Sequence, residues 1–237
     1  YINGSIVNDT SLLLGNDEVL SLIASLSDHA SEVMLIIHAL TVEVRDFREK
    51  TITVFYLSEI EHVLFSQFAS EGYRRMFAVF MHCYDRVMVH SSAVLRNGKV
   101  ILLVAPDEGG KTTAALLEPS GQILCDDRNV LACGSDGTEV YGTPWGSHST
   151  PGLSGPLAGV FLLQKDTSFS VTRLSPRDAA LFMWHDNRHF WNQLPVEHRT
   201  GVLDLLLTAC RSVPVGMLSF PRDHIDWEAV DRFLESS

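Results

Sequence analysis

A glycine-rich turn between an apolar strand and a helix is the feature that most constrains the fold of this sequence. The strand is predicted at residues 99–105, the turn ends at Gly109 and Gly110, and a short helix begins at Lys111. The segment matches the GxxxxGK[ST] phosphate-binding loop, with alanine in place of the first glycine. A strand before this loop and a helix after it are the context that the motif requires.

The chemistry of such a loop predicts a nucleoside triphosphate site that uses ATP and Mg²⁺. Gly109 and Gly110 allow backbone N–H groups to converge on phosphate oxygens, Lys111 reaches the terminal phosphates, and the Thr112 hydroxyl can bind Mg²⁺. We expect Thr113 to contribute to the same site. The alternative is an ordinary glycine-rich turn from strand to helix.

Two acidic residues inside the turn, Asp107 and Glu108, work against an anionic ligand. Their carboxylates should repel phosphate unless they point outward or hold a metal ion. They favour a second hypothesis, in which the protein binds nucleotide as a regulatory or scaffold protein and has lost catalysis. In a third hypothesis the protein shares the fold but its phosphate loop is empty.

His90 is expected beside this loop because of a predicted β-hairpin. Asn97 and Gly98 are a strong signal for a two-residue turn between strands at residues 87–94 and 99–105. In that register His90 lies opposite Ala105, the first residue of the loop. The imidazole either takes part in the chemistry or makes a structural hydrogen bond at the strand end.

Asp126 and Asp127 follow a short apolar strand at residues 122–125. Ligands in α/β proteins bind at the carboxyl ends of strands, so this pair is a candidate catalytic couple. One carboxylate can hold Mg²⁺ while the other takes the proton of a substrate hydroxyl. We assign Asp126 as the base and Asp127 as the metal ligand. The alternative is an acidic turn whose side chains cap the chain reversal.

Composition restricts the class of protein. The 237 residues are 46% hydrophobic and 20% charged, which suits one globular domain with a small appendage. A net charge of -11 makes nucleic acid an unsuitable partner. The apolar runs are too short to span a membrane, and the four cysteines lack metal-type spacing. We therefore expect a soluble cytoplasmic protein with no membrane partner.

The remaining pattern predicts an α/β fold with a mixed β-sheet, preceded by a small α+β region at residues 1–86. Residues 87–237 form the phosphate-loop domain in this interpretation. Further strands are predicted at residues 41–47, 51–57, 130–132, 139–141, 157–163, 168–173 and 214–220, and further helices at 17–26, 58–84, from 175, 196–211 and 225–234.

These motifs together resemble the HPr kinase/phosphorylase-like P-loop family. The similarity lies in HSSAV at residue 90, the strand and loop at residues 99–112, LCDDR at 124 and YGTPWG at 141, and it continues to about residue 220. The family is similar in fold to phosphoenolpyruvate carboxykinase. The resemblance implies phosphate and Mg²⁺ binding by Lys111 and Thr112, a base and a metal ligand in Asp126 and Asp127, and a role for His90 in proton transfer.

The sequence also departs from the true HPr kinases. It lacks their Arg-Gly-Leu-Gly signature, and Thr113 stands where they carry glutamate. The resemblance is stronger to HPr-kinase-like proteins found in peptide-modification settings, some of which resemble kinases that act on a serine of a peptide. The leading hypothesis is therefore an ATP- and Mg²⁺-dependent kinase for a hydroxyl of a peptide or small metabolite. A homo-oligomer is compatible with the sequence.

A second cluster combines aromatic residues with histidines four positions apart, His185 and His189. Such spacing can place two metal ligands on one face of a helix. The alternative is a helix end at which Trp184, Phe190 and Trp191 pack on the core while the histidines face water. We favour core packing because no third ligand can be named.

Overall fold

The structure is a computed structural model that describes residues 33–37, 41–48, 51–56, 78, 81–192 and 194–236. The chain forms two compact units, Tyr1–Phe80 and Met81–Ser237. In the first unit the strands β1 (Val33–Ile37), β2 (Thr41–Asp46) and β3 (Thr51–Tyr56) form an antiparallel sheet. The pair β2 and β3 confirms the predicted hairpin. The predicted helix at residues 17–26 and most of the one at 58–84 lie outside the described residues; within the latter, Ala78 is helical and Met81–Tyr84 is a 3₁₀ turn.

The second unit is a mixed α/β structure. Its strands are β4 (Arg86–His90), β5 (Ser92–Arg96), β6 (Lys99–Val104), β7 (Ile123–Cys125), β8 (Arg128–Gly134), β9 (Gly137–Gly142), β10 (Ser154–Lys165), β11 (Ser170–Arg173) and β12 (Val215–Phe220). Its helices are α1 (Lys111–Leu116), α2 (Pro176–Asp186), α3 (Arg188–Trp191), α4 (Val196–Arg211) and α5 (Trp227–Glu235), preceded by a 3₁₀ turn, Met81–Tyr84.

The nine strands of this unit form one sheet in the order β4-β8-β9-β10-β6-β5-β7, with β12 also paired to β10 and β11 to β12. The strands β6, β10 and β12 are parallel, whereas the other pairs are antiparallel. The centre of β6 is at most 1% exposed from Val100 to Val104. This buried central strand explains the continuous apolar run in the sequence.

One predicted strand is divided in the structure. Residues 87–94 were expected as one strand, but β4 ends at His90 and pairs with β8, and β5 begins at Ser92 and pairs with β6. The predicted register holds for β5 and β6, where Arg96 lies opposite Lys99. His90, however, lies opposite Arg128 and not opposite Ala105. A hairpin turn fixes register only while both strands stay paired, and the chain changes partners at Ser91.

A partly buried ion-pair network ties α5 to the end of α1. Arg96 donates to Asp231 at 2.7 Å and to Glu118 at 2.9 Å, and the Glu118 side chain is fully buried. Its carboxylate also accepts from the backbone N–H of Ser120 at 2.8 Å. Trp227 donates its indole N–H to the carbonyl of Leu117 at 2.8 Å. These contacts hold the helix that follows the glycine-rich loop in a fixed position.

In the described part of the chain, no helix has both the length and the apolar content that crossing a bilayer requires.

Replacing Arg96 by methionine should lower the free energy of unfolding by about 3 kcal/mol, because the buried Glu118 carboxylate would lose its cation. Arg232→Met is the matched control: that side chain is 65% exposed, and its loss should change stability by less than about 0.5 kcal/mol. Denaturant unfolding of both variants measures the difference. Equal stability of the two variants would show that the Arg96 network adds nothing.

Candidate functional site

Several strands end at the same edge of the sheet, and a cleft of about 390 Å³ lies there. Because β6, β7 and β10 point the same way, their carboxyl ends bring distant residues together. The cleft is lined by His90, residues 107–113, Asp126, Asp127, Trp145, Ser147 and Lys165. All the residues predicted for the site therefore surround one cleft, although the ligand that they bind stays a prediction.

The loop after β6 is a tight turn that needs glycine. The Gly109 N–H donates to the carbonyl of Pro106 at 3.0 Å, and a Cβ at Gly109 would lie 2.5 Å from the Ala105 Cβ. Gly110 has φ 98°, and Glu108 adopts φ 59° although it is not glycine. A non-glycine residue in the left-handed region costs free energy, and such residues concentrate at functional loops.

Lys111 lies beneath this loop and not out in solvent. Its side chain is 7% exposed, and Nζ donates to the carbonyls of Ala105 at 2.9 Å and Pro106 at 3.0 Å. Burial lowers the pKa of Lys111, and the nearby carboxylates of Asp186, Asp107 and Asp127 oppose that shift. The ammonium group thus supports the loop backbone at the base of the cleft.

A hydrogen bond joins the loop to β7. Thr112 donates its hydroxyl to Asp126 Oδ2 at 3.0 Å, and the other oxygen of Asp126 accepts from the backbone N–H of His148 at 2.9 Å. Asp126 is only 5% exposed. Gly146 packs directly against it, since a Cβ there would collide with Asp126 Oδ1 and lie 2.7 Å from Cys125 Sγ. The YGTPWG segment thereby encloses this carboxylate.

His90 stands between carboxylates from two parts of the chain. Its Nδ1 is 2.9 Å from Asp186 Oδ2, and its Nε2 is 3.4 Å from Asp127 Oδ1 and 3.3 Å from Asp107 Oδ1. The His90 backbone N–H donates to Asn187 Oδ1 at 2.9 Å. Burial disfavours the imidazolium, but hydrogen bonds to Asp127 and Asp186 more than offset it and raise the pKa of His90.

The two acidic loop residues do not project into the centre of the protein. The Asp107 side chain is 93% exposed, and its carboxylate approaches His90; Glu108 is exposed as well. Asp127 is 33% exposed at its side chain and also lies 3.7 Å from Arg128 Nε. The mouth of the cleft therefore carries more carboxylates than its floor.

Sequence reasoning missed two charged residues: Lys165, which lines the cleft, and Asp186, whose carboxylate lies 2.9 Å from His90. Lys165 ends β10, the parallel neighbour of β6, and its Cε lies 3.7 Å from where a Cβ on Gly110 would be. A lysine at the end of an apolar strand is a sequence signal for a ligand-binding residue. Only the strand order, with β10 parallel to β6, shows that this lysine reaches the cleft. Asp186 comes from α2, and no motif in the sequence identifies it.

In the aromatic and histidine cluster, the aromatic residues pack on the core, as the alternative to a metal site predicted. Phe190 is 2% and Trp191 0% exposed, and the rings of Trp184 and Trp191 are 4.9 Å apart. His185 is exposed. Among the described side chains, no group of three donor residues includes it.

Comparison with known proteins adds little to this geometry. No family model matches the sequence, and no curated protein matches it. One solved structure, the HPr(Ser) kinase/phosphatase from Coxiella burnetii, is similar at a TM-score of 0.30 and 10% sequence identity, over 63% of this chain and 94% of that one. A similarity of this extent assigns neither family nor activity. The resemblance in the motifs stays a prediction.

Asp186→Asn should lower the His90 pKa, because it removes one of the two carboxylates that raise it. A raised folded-state pKa means that His90 contributes stability fully below its unfolded value of 6.5, and loses that contribution as pH rises through the folded pKa. The variant should therefore show a flatter fall of stability with rising pH. An NMR titration and denaturant unfolding at several pH values measure both effects.

Asp223→Asn, which alters an exposed carboxylate, is the control for this experiment. Asp186 does not raise the His90 pKa if the His90 resonance titrates with the same midpoint in Asp186→Asn as in wild type.

Proposed function

We propose that the chain is an ATP- and Mg²⁺-dependent kinase that phosphorylates a hydroxyl group of a peptide or small metabolite. The observation that supports this most strongly is the 3.0 Å hydrogen bond between Thr112 and Asp126. It pairs a hydroxyl at the start of the helix after the glycine-rich loop with a buried carboxylate that directly follows β7. Kinases and ATPases hold Mg²⁺ next to the phosphates with this combination of groups.

The charges around the cleft favour a nucleotide that arrives with its metal ion. Four carboxylates line it, those of Asp107, Glu108, Asp126 and Asp127, against the lysines Lys111 and Lys165. A bare triphosphate would be repelled by this excess of negative charge. These carboxylates could hold a divalent cation, whose charge would offset that repulsion, and they would then contribute to binding.

The proposed roles of the two aspartates, metal ligand and base, are the reverse of those assigned from the sequence. Asp126 is 5% exposed and bonded to Thr112, so it is placed with the metal-binding hydroxyl. Asp127 is 33% exposed at its side chain and lies beside His90, so a substrate hydroxyl can reach it. We therefore assign Asp126 as the metal ligand and Asp127 as the base.

In the proposed reaction, the acceptor oxygen forms a bond to the terminal phosphorus as the bond to the bridging oxygen of ADP breaks. Asp127 accepts the proton of the acceptor hydroxyl. His90 holds Asp127 in position, and its raised pKa favours the imidazolium, which adds positive charge near the transferred group. Bound Mg²⁺ would neutralise charge on the phosphates. Catalysis would consist mainly of positioning and charge neutralisation.

The volume and lining of the cleft are compatible with this ligand. About 390 Å³ is within the range of small-molecule sites, and it suits the triphosphate with part of a nucleoside. Trp145 and Ser147, in the segment after β9, also line the cleft and offer an aromatic surface and a hydroxyl. These two side chains are the candidates for contact with the nucleoside or the acceptor.

A nucleotide-binding regulatory protein without catalysis is the second candidate. It is favoured by Lys111 Nζ, which is bonded to two loop carbonyls, and by the exposed carboxylates of Asp107 and Glu108. Both candidates bind Mg-ATP through the loop, and they differ in turnover. Calorimetry with Mg-ATP, followed by assay of ADP formed with and without hydroxyl acceptors, separates them.

Single asparagine variants of the aspartates test the division of roles. Asp126→Asn should weaken Mg-ATP binding by about tenfold or more, since it removes a metal ligand. Asp127→Asn should change the affinity by less than about threefold and lower turnover by about 100-fold or more, because a base acts only in the transition state. Calorimetry and an ADP-release assay measure the two quantities, with Asp136→Asn in an exposed turn as the control.

Unchanged Mg-ATP affinity in Asp126→Asn would remove this residue from the metal site. If wild type binds Mg-ATP but no peptide or metabolite supports turnover above that of Asp127→Asn, the regulatory protein becomes the better interpretation.

Lys165→Ala should weaken Mg-ATP binding by about fivefold at low salt, because it removes a cation above Gly110, and the effect should shrink as salt is added. Lys99→Ala is the matched control, since Lys99 is an exposed lysine at the opposite end of β6. Calorimetry at two salt concentrations measures the change. Equal affinities of the two variants would exclude Lys165 from phosphate binding.

A further inference from the structure

A second cluster of donor side chains lies away from the cleft, where the 3₁₀ turn Met81–Tyr84 meets the first turn of α4. His82 Nε2 is 2.7 Å from His198 Nδ1, and Cys83 Sγ is 3.5 Å from the same His82 nitrogen. One donor atom from each of the three residues lies within 4.8 Å of the others. The chain separates His82 and His198 by 116 positions, so folding alone brings them together.

We propose that His82, Cys83 and His198 form a binding site for a zinc ion. Two imidazole nitrogens and one thiolate sulfur are a donor set that suits Zn²⁺, whereas Mg²⁺ and Ca²⁺ prefer oxygen. The site shares no residue with the cleft, and the proposal does not depend on the proposed kinase function.

The donor spacing is close to what a tetrahedral ion needs. With Zn–S near 2.3 Å and Zn–N near 2.05 Å, a tetrahedral site has sulfur and nitrogen about 3.5 Å apart and two nitrogens about 3.3 Å apart. Cys83 Sγ and His82 Nε2 are already 3.5 Å apart. The two imidazole nitrogens, now at hydrogen-bond distance, must separate by about 0.6 Å. Small rotations of the two rings, which meet edge to face, provide this movement.

Partial burial suits a site that is filled from solvent. His82, Cys83 and His198 are each half-buried, so an ion can enter, and a water molecule can take the fourth position. The first turn of α4 is held by Arg199, which donates to the carbonyls of Leu194 and Asn192 at 2.7 Å each. His198 is thereby presented from a fixed backbone, as a metal ligand needs to be.

An ion at this position would join the start of β4 to α4. The 3₁₀ turn leads directly into β4, which ends at His90, and α4 packs against α2, which carries Asp186. Zinc would therefore stabilise the two elements that hold the His90 and Asp186 pair, without touching the cleft. We expect a structural ion whose removal lowers stability more than it changes nucleotide affinity.

Calorimetric titration of metal-free full-length protein with Zn²⁺ tests the proposal. We expect one ion per chain, with affinity lowered more than about 100-fold in His198→Ala and in Cys83→Ser. Cys133→Ser and His185→Ala are matched controls, because Cys133 donates to the carbonyl of Leu205 and His185 is exposed on α2. Both controls should bind Zn²⁺ like wild type.

Cobalt substitution of wild type gives a second measurement that does not depend on the variants folding. Co²⁺ in the site should produce a near-ultraviolet thiolate charge-transfer band, which Cys83→Ser abolishes and Cys133→Ser retains. Absence of this band in wild type, or Zn²⁺ binding that is equal in all four variants, would overturn the proposal. In that case the two histidines form a structural hydrogen bond only.

Discussion

The parallel pairing of β6 with β10 is the constraint on which the site depends. Leu162 lies beside Val104, so the loop after β6 and Lys165 at the end of β10 reach the same edge of the sheet. On the other side, β5 pairs with both β6 and β7 and brings Asp126 to that edge. Parallel neighbours share the direction of their carboxyl ends, so Lys165 comes close to Gly110 although the two residues are far apart in the chain.

At that edge, hydrogen bonds among polar groups fix the positions of the side chains in the site. Asp126 has both oxygens bonded, to the Thr112 hydroxyl and to a backbone N–H, so its position is fixed. Asp127 is more exposed and interacts with His90, which Asp186 and Asn187 hold from the far side. Two adjacent aspartates thus have different environments. This difference is the physical basis for assigning them different roles in the proposed kinase.

The proposed zinc cluster and the cleft are separate sites that share one framework. Both depend on β4, which has His90 at its end and the 3₁₀ turn before its start. Asp186 on α2 pairs with His90, and His198 lies on α4, which packs against α2. Burial of this strand, with Val87, Met88 and Val89 at most 1% exposed, makes it a rigid connection between them. Loss of packing here would affect both sites together.

The sequence by itself determined the local elements, because each depends on residues close together in the chain. The glycine-rich turn, the Asn97-Gly98 hairpin and the helix at residues 196–211 were predicted with nearly the observed bounds. Only the tertiary structure decided that the strand breaks at Ser91, that His90 faces Asp186, that Thr112 bonds to Asp126, and that Lys165 joins the cleft. Strand order and changes of pairing partner are set by burial across the whole sheet, which no short stretch of sequence encodes.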